Sequence, residues 1–153
     1  MSEDLICVQN IDYGEYFEKA GKGTVFLLSG ETAEKIWDSE IYANSTSYFN
    51  LPDDCWVVSS KSSLIGNWIE AYNNDDNDAV EELLRRAIDW RDDVIIRFFA
   101  KKKIVFQTKW CDFLCYWDEF LAVEDDCPII LPKDNSRKEA LVFRPIGDIL
   151  KIG

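Results

Sequence analysis

Apolar residues recur along this chain in two rhythms, short runs bounded by glycine, proline or charge and longer stretches with a spacing of three to four. Thr24–Ser29 (TVFLLS), β-branched and apolar between glycines, predicts a buried strand. Gly30 then turns the chain, and Glu31–Tyr42 places Ala33, Ile36, Trp37 and Ile41 at helical spacing with acids in the first turn. Before them, residues 1–23 mix short apolar pieces with Gly14, Gly21 and Gly23, and Glu15–Ala20 suggests a short helix. Ser47–Leu51 and Cys55–Ser59, apolar and aromatic around Pro52, Asp53 and Asp54, read as a hairpin or bent strand pair. Leu64–Tyr72 reads as a helix. The polar tract Asn73–Asp78 is a loop, and Asp78 with Glu81 resembles a capping box. The helix it opens carries Val80, Leu83, Leu84, Ala87 and Ile88 on one face, with Glu81–Arg85 and Glu82–Arg86 as expected ion pairs four residues apart.

Val94–Ala100 and Ile104–Thr108 predict two strands joined at the basic turn Lys101–Lys103, and their nearly unbroken apolar character predicts a central place in a sheet. Trp110, Phe113, Leu114, Trp117, Phe120 and Leu121 then form one face of a helix lying across that sheet, with Asp112, Asp118 and Glu119 on the other side. After the acidic loop Glu124, Asp125 and Asp126, Pro128–Leu131 and Ala140–Phe143 predict a last hairpin. No repeat or long linker divides the chain. The expectation is one α+β domain over residues 1–153, a mainly antiparallel sheet with helices packed on it.

A length of 153 residues suits one core, and 47% apolar with 14% aromatic residues supplies it. No run is long and apolar enough for a bilayer, and the acidic start is unlike a secretory signal, so a cytoplasmic location is expected. Five cysteines, an odd number, fit free thiols in a reducing compartment. The chain has no histidine, which removes the commonest general base and metal ligand.

Charge changes the picture most. The net charge is −12, and its excess is uneven: residues 1–90 carry 18 acids and 6 bases, residues 91–153 eleven of each. Such a field disfavours nucleic acid and membrane headgroups and favours a basic protein partner. The richest docking candidates are Asp75, Asp76, Asp78, Glu81 and Glu82, with Asp53 and Asp54 as a second patch.

Catalytic chemistry finds little purchase. Cys111 and Cys115 share a helix face, but their spacing is not that of a zinc knuckle. The tract from Asp75 lacks the glycine and glutamate of a calcium loop, because Val80 and Arg86 stand at those positions. There is no phosphate loop, nucleophile elbow or dinucleotide fingerprint. No cofactor, metal or catalytic residue is therefore assigned. Lys101–Lys103 reads as a protected hairpin tip, not a nucleic-acid contact. Of the six tryptophans, Trp90, beside Arg91, Asp92 and Asp93, is the one whose pattern leaves it between core and interface.

The stretch Val94–Leu131, with T-K-W-C-D-F at 108–113, Y-W-D-E-F-L at 116–121 and E-D-D-C-P-I-I-L at 124–131, resembles a group of small uncharacterised bacterial proteins. In character, small, acidic, rich in tryptophan and without catalytic residues, the chain is similar to immunity proteins of bacterial contact-dependent and polymorphic toxin systems. That resemblance implies a non-enzymatic protein that covers the active site of a basic toxin domain such as a nuclease. Two further readings stay open: an adaptor for another basic protein, and, more distantly, a carboxylate- and metal-dependent enzyme.

Overall fold

Along the central strands, alternate side chains go to opposite faces, and both faces are apolar; the architecture follows from that. The computed structural model describes residues 5–124 and 126–153. Among the described residues, eight strands form one antiparallel sheet: β1 (Ile6–Cys7), β2 (Phe26–Ser29), β3 (Ser62–Asn67), β4 (Ile95–Lys101), β5 (Ile104–Lys109), β6 (Ile129–Pro132), β7 (Ala140–Phe143) and β8 (Asp148–Ile152). Their spatial order is β1-β2-β5-β4-β6-β7-β8-β3, so β4 and β5 are interior as their apolar runs predict. The β4–β5 hairpin pairs Phe98 with Phe106 and turns through Lys102 and Lys103.

On one face Ile96, Phe98 and Phe106 pack with Trp110, Phe113, Trp117 and Phe120 of α5 (Trp110–Val123). Phe98, Phe113 and Phe120 stand 5.2–6.2 Å apart, centroid to centroid, in tilted arrangements that aromatic quadrupoles favour. The same layer contains Val80 and Leu84 of a helix at Asn77–Ala87, and Trp68. On the other face Phe99, Val105, Ile129 and Val142 pack under Ala33 and Trp37 of α1 (Gly30–Trp37), with Val57 of α2 (Trp56–Ser59) and Cys55 at its N-cap. The acidic and neutral parts of the chain share this sheet, since β2 pairs with β5 and β3 with β8.

Several local expectations are corrected. Ser47–Leu51 and Cys55–Ser59 are not strands but a 3-10 turn at Tyr48–Asn50 and the short α2. Their apolar side chains, Tyr48, Leu51, Cys55, Trp56 and Val57, close the second face as a cover. Leu64–Tyr72 is split: β3 takes its first part, and α3 (Trp68–Asn73) only the rest. Instead of a helix at Glu15–Ala20 there is a 3-10 turn at Asp12–Tyr16. The strand β8, a short apolar run between Gly147 and Gly153, is not among the expected elements. Glu119 is 8% exposed, not on the solvent side.

Candidate functional site

The acidic segment is built onto the edge of the sheet by a chain of local bonds. Asn67 ends β3 and caps α3, its Oδ1 accepting from the Glu70 amide at 3.1 Å. Trp68 fastens that helix to the turn before β8: its backbone N–H donates to Gly147 O at 2.9 Å and its indole N–H to Arg144 O at 3.1 Å. After α3 the chain reverses with Asp75 in the left-handed region (φ 53°), a conformation Asp tolerates better than most residues. The Asp76 amide closes the reversal by donating to Ala71 O at 2.9 Å.

The next helix, α4 (Asn77–Ala87), is capped two residues ahead of the expected Asp78: Asp76 stands at the N-cap and makes no side-chain bond, so the expected capping box is absent. What fixes the start is α5. The Trp117 indole N–H donates to Asn77 O at 3.2 Å, and Asn77 Nδ2 donates to Asp118 Oδ2 at 3.1 Å. Between α3 and α4 lies a groove of about 280 Å³, lined by Asn67, Glu70, Ala71, Asn74, Asp76, Ala79, Val80 and Leu83. Its floor is aliphatic, and its rim carries two carboxylates and two carboxamides.

The seven sequence-predicted residues are only partly brought together. Asp76 lines the groove, while Asp75, Asp78 and Glu82 are exposed on the same reversal and helix. Glu81 is half-buried, its Oε1 3.8 Å from the exposed Cys115 thiol of α5. Burial first and Glu81 second push that thiol up. Arg85 does not close on Glu81; its Nη1 donates to Asp92 at 2.9 Å. Asp53 and Asp54 belong elsewhere. They precede α2 on the opposite face of the sheet, and Asp54 accepts from the Tyr42 hydroxyl at 3.2 Å, raising that hydroxyl above its ordinary value. Sequence reading missed Glu70, which came to the groove only because Leu64–Tyr72 broke into strand and helix. Trp90, the undecided tryptophan, is 9% exposed and meets Trp110 edge-on at 4.9 Å.

The acidic loop after α5 also contributes structure: Glu124 lies 3.7 Å from Lys101 Nζ, and Asp125 lies outside the described residues. Among the described residues no three His, Cys, Asp or Glu side chains are grouped to hold a metal ion, and all five cysteines are free thiols. No helix among them is long and apolar enough to cross a membrane.

Comparison adds a family but no activity. No curated protein and no solved structure matches the chain. Residues 17–153, which include every strand but β1, match the family model described as protein of unknown function (DUF2947), and the chain belongs to that family.

Proposed function

We propose that this protein is a non-catalytic binding domain that docks a basic protein in the groove between α3 and α4. The observation that carries the reading is the pairing of an aliphatic floor, Ala71, Ala79 and Leu83, with an acidic rim, Glu70 and Asp76, beside the exposed Asp75 and Asp78. A lysine or arginine side chain needs both halves: its methylenes lie on apolar surface while its charged head stays with carboxylates and water. The net charge of −12 steers such a partner toward the protein. A toxin nuclease is the natural example, because a cleft that holds phosphates must itself be positive, and an acidic inhibitor gains complementarity there. This choice of partner rests on the resemblance in character to immunity proteins.

The test begins with the partner recovered alongside the native chain, and compares wild type with a triple variant, Asp75→Asn, Asp76→Asn and Asp78→Asn. Association should slow roughly tenfold at low salt and lose much of its ionic-strength dependence. The unfolding free energy from urea titration should stay within about 0.5 kcal/mol of wild type, because exposed charges contribute little to stability. Indistinguishable salt slopes would sink the docking role of this groove. A recovered nuclease silenced in the complex supports immunity, whereas a basic housekeeping protein would make the chain an adaptor.

A further inference from the structure

The loop between β6 and β7 and the segment between α4 and β4 line a second cavity, of about 270 Å³. Trp90, Val94 and Pro132 give it an apolar wall, and Asn135, Arg137 and Asp89 its polar side. Two of these residues hold unused hydrogen-bond donors. Trp90 and Asn135 are 9% and 8% exposed, and neither Trp90 Nε1 nor Asn135 Nδ2 has a partner among the described residues. The orientation of Asn135 is set independently, because its Oδ1 accepts from the Glu139 amide at 2.9 Å, leaving the NH₂ as the idle end.

A buried donor without an acceptor is destabilising, so such groups in native proteins are nearly always completed by something. Here two of them belong to residues that line one cavity. An acceptor placed there would also meet Arg137, whose guanidinium is shared between Asp89 at 3.5 Å and Glu139 at 3.2 Å. Asp89, Asp134 and Glu139 also line the space. Their charge disfavours a phosphate or other polyanion and suits a ligand that carries a cation as well.

We propose that this cavity binds a zwitterionic small molecule of the amino-acid class. Its carboxylate takes the Trp90 and Asn135 N–H groups beside Arg137, its ammonium faces the exposed Asp89 and Asp134, and its side chain lies against Trp90, Val94 and Pro132. The site is independent of the α3–α4 groove, so the two proposals stand or fall separately.

Nitrogen-15 NMR of the full chain tests this, because each tryptophan indole N–H gives its own signal. Each standard L-amino acid is titrated to about 10 mM, a range that detects millimolar affinities. At least one should shift the Trp90 indole and Asn135 amide signals saturably. The indoles of Trp37 and Trp117, already bonded to Ser45 Oγ and Asn77 O, should stay in place. Trp90→Phe identifies the indole signal and should weaken binding roughly tenfold by removing one donor to a charged acceptor. Asn135→Asp keeps the oxygen that accepts from Glu139 and replaces the donor, and should weaken binding at least as much. No saturable shift with any amino acid would overturn the proposal and leave buried water as the partner of these donors. Equal binding of the matching deaminated acid would overturn it too, because the ammonium would then contribute nothing.

Discussion

Glu119 carries more of the structure than its place among helical acids suggests. Its two carboxylate oxygens accept from the Lys19 and Ala20 amides at 3.0 and 3.1 Å, tying the segment before β2 to α5. Glu119→Ala should lower stability by about 2–4 kcal/mol, because two buried or half-buried N–H groups lose their acceptors together. Glu119→Gln, which keeps one acceptor oxygen, should cost less. Urea unfolding measures both, and an unchanged midpoint in the alanine variant would mean that water replaces the carboxylate freely. Cys127 is a second such residue. It is 4% exposed and sits in the left-handed region at φ 68°. Burial pushes its thiol up to about 12 from an ordinary 9.0, with Arg144 opposing and Asp126 adding slightly. The unfolded chain releases this proton first, so the contribution to stability is intact below pH 9 and is lost as pH rises toward about 12. Unfolding free energies measured between about pH 8 and about pH 11 should therefore fall more steeply in wild type than in Cys127→Ala. Parallel curves would show that the thiol titrates normally.

At the scale of elements, the groove depends on how closely α4 approaches β3. A Cβ at Gly66 would overlap the Leu83 side chain, so glycine lets helix and strand meet there. Gly66→Ala should destabilise by about 1–3 kcal/mol through overpacking. Because Leu83 also lines the groove, the same change should weaken the basic partner more than stability loss alone explains. A variant with altered stability and unaltered affinity would show that the floor takes no part in docking. The β3–α3 junction explains why this site was only half legible. Leu64–Tyr72 carries enough apolar residues for a helix, yet its first part pairs with β8, a strand more than eighty residues later. Local pattern has no access to that pairing. Leu64 is 66% exposed and lies on an edge strand of the sheet, so the apolar count misled where a strand has one partner instead of two.

At the scale of the molecule, the −12 excess is not one acidic face. The sheet separates Asp75, Asp76 and Asp78, on the α4 and α5 side, from Asp53 and Asp54, on the α1 and α2 side. A partner seated on one patch cannot touch the other across the sheet. Asp53→Asn with Asp54→Asn should therefore reduce long-range steering modestly and leave the dissociation rate of the complex unchanged, whereas the groove variant alters association strongly. Surface kinetics at two salt concentrations separates these cases. Equal effects of the two sets would point to a partner large enough to wrap an edge of the sheet, or to docking on the other face.

Taken alone, the sequence determined the α+β class, the interior hairpin of β4 and β5, the aromatic helix α5 and the acidity of the reversal before α4. These follow from periodicity and composition, which act over neighbouring residues and are strong where a run is long and apolar. Tertiary structure decided the rest: that Ser47–Ser59 covers the sheet instead of joining it, that β8 makes β3 a strand, that Glu119 turns inward, and that Trp90 and Asn135 meet at one cavity with their donors idle. Each of those outcomes depends on a partner distant in sequence. A side chain's burial and hydrogen bonding are set by what the folded chain brings against it, and spacing along the chain does not carry that information.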